Sequence, residues 1–249
     1  MTKEMSIFFQ IAGYKRFGPR QGSCIFRIAL ATALFVTAAV GQNTPRAEFA
    51  PVVDDPALPR VLIIGDSISI GYTLPLRAAL DGIANVHRPP TNCAHTWKGL
   101  ESIDQWLGDG KWDLIHFNWG LHDLKYVDEE GKLALPPKGK QVSTVGEYAA
   151  NLEKLLQRLN QTGATLIWRP TTPVPEGAQG RVPADLAKYN AAARKVIQRH
   201  GIEVDDMNLF IRDHNVPHVR PDNVHFSKDS SALLAANTAQ LIRRKLKSN

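Results

Sequence analysis

Three side chains in this sequence have the types, and the order along the chain, that acyl transfer needs. Ser67 follows the apolar run Val61-Leu62-Ile63-Ile64 and the turn residues Gly65-Asp66. Its hydroxyl is therefore expected just past the carboxyl end of a buried strand. There the free N–H groups of a starting helix can stabilise a developing anion. A serine hydroxyl attacks only when a base takes its proton, and the base needs a third group to fix its tautomer. Of the eight histidines, two have an aspartate three residues earlier. Asp113 and His116 fall inside a predicted strand, where residues i and i+3 face opposite sides, so that pair reads as structural. Asp222 and His225 fall in a loop between Pro221 and Ser227, where the carboxylate can reach Nδ1 and leave Nε2 for the serine. The expected catalytic set is Ser67, Asp222 and His225. Ser69 is the competing nucleophile, placed second because it lies further from the strand end. Alone, Gly-Asp-Ser serves equally well as a helix cap, and the Asp-His pair as a loop stabiliser. Together they point to catalysis.

Such groups need a scaffold, and the pattern from Arg60 onward supplies one. Buried strands are expected at Val61–Ile64, Asn85–Arg88, Asp113–Asn118, Ala164–Trp168 and Ile202–Val204. Helices are expected at Thr73–Leu80, Lys98–Leu107, Gly146–Asn160, Pro183–His200 and Ser227–Leu246, the last with Ser227 as its N-cap. Alternation of this kind implies parallel strands joined by crossover helices, with ligand sites at the strands' carboxyl ends. The polar stretch Tyr126–Val145 reads as an excursion, either shaping a substrate pocket or decorating the surface.

Composition narrows the function classes. The chain has 249 residues and a formal net charge of +6. Residues 1–41 carry Lys3, Lys15, Arg16, Arg20 and Arg27 against Glu4, which is most of that excess. The rest is nearly balanced and shows no basic stripe with interleaved aromatics, so no nucleic-acid partner is expected. Gly-x-Gly-x-x-Gly and Walker-type motifs are absent, which removes the phosphate cradles. The run Ile28–Val40, preceded by Arg20 and Arg27 and followed by small residues, reads as an export signal or N-terminal anchor over residues 1–41. It is followed by a Pro-rich linker at 42–59 and one domain at 60–249. The expected location is secreted or periplasmic, with membrane contact only through an uncleaved leader. Cys24 and Cys93 are the two cysteines. With Cys24 in the leader, no disulfide framework is expected.

Gly65-Asp66-Ser67-Ile68-Ser69 resembles the first sequence block of the SGNH (GDSL-like) hydrolases. Pro221-Asp222-Asn223-Val224-His225 resembles their last block, and Asn118-Trp119-Gly120-Leu121-His122-Asp123 their third, over roughly residues 60–245. The resemblance implies a three-layer α/β/α, flavodoxin-like domain with about five parallel strands. It implies an esterase working through an acyl-enzyme, with no metal or organic cofactor. It also implies an oxyanion hole built from the Ser67 N–H, a backbone N–H near Cys93 or Ala94 (Cys93 is preferred), and a third-block side chain. That last position is usually Asn and here is His122, whose neutral imidazole can donate one N–H. Asn118 is the other amide near the hole, with a strand-end structural role favoured. Asn92 and Trp119 are the expected substrate-binding residues; Trp97 and Tyr126 are further aromatics that can stack on a sugar. Cys93 as a nucleophile and a metal site from His87, His95, His116 and His122 are weaker readings, since neither shows a supporting spacing.

Three functions follow for comparison. One is an acyl-ester hydrolase acting on small-molecule or glycan esters, with O-acetyl groups of an extracellular saccharide favoured. The second is a non-catalytic carbohydrate-binding module on the same fold. The third is a lipid hydrolase of the lysophospholipase or thioesterase type.

Overall fold

The computed structural model describes residues 46–248. The expected leader, with Cys24, lies outside the described residues. After a 3-10 turn at Ala47–Phe49 the chain runs through β1 (Arg60–Ile64), α1 (Ser67–Ala79), β2 (Asn85–His87), α2 (Thr96–Leu107) and β3 (Leu114–Phe117). It continues through β4 (Tyr126–Val127), β5 (Lys140–Gln141), α3 (Val145–Asn160), β6 (Thr165–Trp168), α4 (Asp185–Arg199), β7 (Glu203–Val204), α5 (Met207–Asp213) and α6 (Lys228–Lys247).

Five strands form one parallel sheet in the order β2-β1-β3-β6-β7. Counting only these strands, the order is the flavodoxin-like 2-1-3-4-5, whose switch point lies between β1 and β3. α1 packs on α6, while α3 packs on both α2 and α4, giving the two helical layers of the α/β/α sandwich. Val61, Leu62, Ile63 and Ile64 are buried, as a central parallel strand covered on both faces must be. Each contributes roughly 1.5–3 kcal/mol of transfer free energy.

The order of elements follows the expectation, with three differences. First, α1 begins at Ser67, six residues ahead of the expected start. The β-branched and glycine-containing stretch Ile68-Ser69-Ile70-Gly71 has weak helix propensity. The Asp66 cap and burial of Ile68, Ile70 and Tyr72 outweigh it. Second, the excursion contains the antiparallel pair β4–β5. Third, α5 is a short helix the periodicity did not reveal, because its 7 residues are too few for a helical period to stand out. The described part of the stretch read as a linker is tied to the domain. Asn85 Nδ2 donates to the carbonyls of Asp55 and Leu58, and Asp54 pairs with both Arg60 and His87.

A buried polar pillar braces the sheet. Asp205, just after β7, accepts hydrogen bonds from His116 Nε2 at 2.9 Å, Arg169 Nη2 at 2.7 Å and Thr238 Oγ1 at 3.2 Å. It thereby joins β3, the end of β6 and α6. Arg169 also lies over the Tyr72 ring at 4.5 Å. His116 is fully buried in this network, as its strand position required, and Asp113 turns away to accept from the Arg60 N–H.

Candidate active site

Ser67 is the first residue of α1, immediately past the carboxyl end of β1. Asp66 caps the helix: its Oδ1 accepts from the Ile68 N–H at 2.9 Å. The Ser67 N–H, in the first turn, has no intrahelical acceptor and makes no hydrogen bond to another element among the described residues. Gly65 earns its place through space, since a Cβ there would lie 3.0 Å from Ser69 Cβ and Oγ. Ser69 itself is buried and committed. Its Oγ donates to Asp66 O at 2.7 Å and accepts from Arg88 Nη1 at 3.1 Å. Of the two candidate nucleophiles, Ser67 is the one facing solvent and a base.

The histidine that meets it is His225. Its Nε2 lies 2.9 Å from Ser67 Oγ. The loop carrying it is anchored by the Val219 N–H bond to His225 O at 2.8 Å, by stacking of His218 on Phe226 and by the buried Val224. Ser227 then caps α6 through the Ser230 N–H, as expected.

The structure corrects the expected orienter. Asn223 Oδ1, not the Asp222 carboxylate, lies 2.8 Å from His225 Nδ1. The same oxygen accepts the His225 backbone N–H at 2.9 Å, which fixes the amide's orientation. Nδ1 must therefore carry its proton, and Nε2 is left to accept from the serine. The turn formed by the Asn223 N–H bond to Arg220 O points Asn223 inward and Asp222 outward. The Asp222 side chain is 61% exposed, with Arg220 Nε 3.7 Å from its carboxylate. Replacing Asn223 with Ala should lower kcat roughly tenfold to a hundredfold, the worth of one hydrogen bond to a group that becomes charged. Asp222→Asn should cost only a few-fold. Steady-state kinetics of the two variants would show the ranking, and the reverse order would place the carboxylate at Nδ1 during turnover.

Two other expectations are corrected. The Cys93 N–H is not available to an oxyanion. It donates to Gly65 O at 3.2 Å, extending the β1–β2 pairing into the loops beyond the strands. Its thiol is buried and pushed up to about 12 by desolvation, which also leaves it inert as a nucleophile. Trp119 cannot stack on a substrate: it is fully buried and donates to Cys93 O at 3.3 Å. Its apolar ring belongs to the core, which sequence alone does not distinguish from a stacking platform.

The residues either side of Cys93 form a local turn. Asn92 Oδ1 accepts from the Ala94 N–H at 2.9 Å, and Ala94 holds φ 48°, a left-handed position that favours glycine. Asn118 has the structural role, its Nδ2 donating to Arg169 O at 2.9 Å. The four histidines considered for a metal serve separate tasks: His87 meets Asp54, His95 caps α2, His116 meets Asp205 and His122 faces the nucleophile's turn.

His122 follows a turn that only glycine permits. Gly120 has φ 138°, and a Cβ there would collide with Thr171 Oγ1. Tyr148 Oη and Thr171 Oγ1 both donate to Trp119 O, fixing the turn. The His122 ring makes no hydrogen bond to the protein among the described residues. Its pKa is lowered to about 4, first by burial, with Lys125 and Arg181 acting the same way and Asp66 opposing. It is thus neutral near pH 7, and its N–H is available to a ligand. The depressed value has a stability consequence. Above the ordinary value of 6.5 the ring is neutral whether the chain is folded or not. As pH falls from there toward about 4, the unfolded chain binds a proton that the folded one does not, and stability is lost. His122→Asn should reduce the acid loss of unfolding free energy between these limits by on the order of 2–3 kcal/mol. Chemical denaturation at pH 7 and pH 4.5 would measure it, and equal losses in the two proteins would contradict it.

Several residues beside the base were not foreseen. Arg181, Arg220, Leu133 and Asn223 line one cavity with His225. Asn223 was hidden inside the Asp-x-x-His spacing, and Leu133 lies in the excursion, which therefore shapes a pocket.

The whole arrangement has relatives. The family model of the GDSL-like lipase/acylhydrolases matches residues 63–233. A search of curated proteins finds no match. Among solved structures, a lipase/acylhydrolase from Enterococcus faecalis is 17% identical with a TM-score of 0.60, covering 75% of this chain and 96% of that one. An acetyl xylan esterase is 13% identical with a TM-score of 0.60, covering 74% and 99%. An acetylxylan esterase from Geobacillus stearothermophilus is 15% identical with a TM-score of 0.57, covering 76% and 94%. At these identities the structures share the fold. With a serine at the β1 switch point, a histidine at hydrogen-bond distance and the family model spanning both, the chain belongs to the GDSL-like lipase/acylhydrolase family and is an ester-hydrolysing enzyme.

Proposed function

We propose that the protein is a serine esterase that removes short acyl groups, acetyl above all, from a saccharide outside the cytoplasm. The observation that carries the serine mechanism is the 2.9 Å approach of His225 Nε2 to Ser67 Oγ. Nε2 takes the Ser67 proton as Oγ bonds to the acyl carbon, and the carbonyl π electrons move onto oxygen. The Ser67 N–H and the His122 N–H stabilise that oxyanion. As the tetrahedral intermediate collapses, the C–O bond to the alcohol breaks and His225 returns the proton to the leaving oxygen. Water then repeats the sequence on the acyl-enzyme, freeing the acid and restoring Ser67. Asn223 keeps the imidazole oriented through both steps.

The saccharide reading rests on the setting. The space beside His225, about 130 Å³ and lined by Arg181, Arg220, Asp222, Asn223 and Gln179 with Leu133 and Ala178, suits a polar alcohol. Two of the structural relatives are named as acetylxylan esterases, which is consistent with this reading. The apolar run Ile28–Val40 with its preceding arginines supports export. The assembled serine and histidine disfavour a silent binding module, which would need neither.

A chain-length series of 4-nitrophenyl esters tests the substrate class. The kcat/KM should be highest for acetate and fall at least tenfold by octanoate. A rise toward long chains would favour the lipid-hydrolase reading instead.

A further inference from the structure

The cavity beside His225 has a charge pattern the hydrolytic chemistry does not require. Its walls include His225, Asn223, Arg181, Arg220, Asp222 and Leu133. Ser67 is not among them. The base hands the proton it took from Ser67 to the leaving oxygen, so a cavity lined by the base and not by the nucleophile receives the alcohol side of the ester.

Arg181 is fixed at this wall. Its Nε donates to Leu121 O at 3.2 Å and its Nη1 to Gln179 O at 3.1 Å. Both are neutral carbonyls, and Arg181 forms no ion pair among the described residues; the Asp66 carboxylate favours its charge only at longer range, and no hydrogen bond of its Nη2 to the described residues is seen. Lys125 stands behind it. The Tyr126 N–H bonds to Gly180 O at 2.7 Å, holding the Lys125 and Arg181 segments side by side. Lys125 also forms no ion pair among the described residues, and the two cations each disfavour the charge on His122. Arg220 is the second guanidinium. Among the described residues it pairs with Asp222 at 3.7 Å, a loose ion pair beyond hydrogen-bond distance, and both side chains are mostly exposed. The opposite wall is apolar, formed by Leu133 and Ala178. Arg181 and Arg220 line the cavity with Asp222 as its one carboxylate, so the lining carries an excess of positive charge that a ligand anion compensates. Guanidinium forks match carboxylates in particular.

We propose that the leaving-group subsite binds an alcohol bearing a carboxylate, held by Arg181 and Arg220 against Leu133, so that the preferred substrates are acyl esters of acidic saccharides or of related hydroxy acids. This rests on the assignment of Ser67 and His225 as the hydrolytic pair.

A matched pair of acetyl esters tests it: 3-acetoxybenzoate, which carries a carboxylate on the leaving alcohol, and its methyl ester, which does not. The wild-type ratio of kcat/KM, charged over neutral, should be on the order of ten at low ionic strength and shrink in 0.5 M salt, an amount set by about one charge-assisted contact. Arg181→Gln and Arg220→Gln should each lower that ratio roughly fivefold, and comparing the ratio between variant and wild type cancels the difference in leaving-group reactivity. Arg181 also ties two loops, so Arg220→Gln, altering an exposed side chain, is the variant that keeps the test sound if the other unfolds. A wild-type ratio near one, or a ratio that Arg220→Gln leaves unchanged, overturns the proposal while hydrolysis itself stands. Failure to cleave either ester, in wild type as in Ser67→Ala, overturns the hydrolytic assignment and this inference with it.

Discussion

Ser67→Ala should lower kcat on 4-nitrophenyl acetate by on the order of 10⁴ or more, with a KM that moves little. Alanine removes the only hydroxyl within reach of His225 Nε2 among the described residues, and with it the acyl-enzyme. Ser69 will not substitute: its Oγ is buried, donates to Asp66 O and accepts from Arg88. The helix itself should survive, since its cap is Asp66 and alanine is well suited to a first helical turn. An unchanged melting temperature would therefore accompany the loss. A Ser67→Ala protein that turns over within tenfold of wild type would mean that another group attacks.

Asp205→Ala is expected to have the largest effect on stability. It would leave the Arg169 guanidinium, 2% exposed, without its counter-charge. It would also strip His116 Nε2 and Thr238 Oγ1 of an acceptor. Removing one partner of a buried ion pair costs about 3–5 kcal/mol, because the other charge stays buried alone. For a domain of this size that lowers the melting temperature by roughly 10 °C. The double change Asp205→Leu with Arg169→Met should recover part of the loss, since it removes both charges together. A loss below about 1 kcal/mol in the single variant would show that water or a side-chain shift satisfies the arginine. The pair also sets a pH limit. Arg169 and His116 hold the Asp205 carboxyl well below its ordinary value despite burial, so this contribution persists above that value and is lost only in strong acid.

How much of this was legible in the sequence depends on range. The sheet was legible because β1, β3 and β6 are mostly apolar runs, and the helices because α2, α3 and α4 show one apolar face each. Ser67 and His225 were legible as well, since each sits where the chain leaves one element and enters another. What could not be read was which way a side chain turns within a loop. Asp222 and Asn223 are adjacent and both can accept from an imidazole; the turn closed by Arg220 O decides between them. Trp119 and the Cys93 N–H fall in the same class, their partners being Cys93 O and Gly65 O from distant segments. The Arg169–Asp205 pillar was invisible for a related reason, since nothing local marks two charges 36 residues apart as a buried pair.

Labelling with a fluorophosphonate, followed by peptide mapping, reaches the central claim most directly. One adduct should appear, on the peptide that contains Ser67 and at that oxygen, and His225→Ala should slow its formation by at least a hundredfold. An adduct on Ser69, or ester hydrolysis that continues at full rate with Ser67 unlabelled, would contradict the pairing of these two residues.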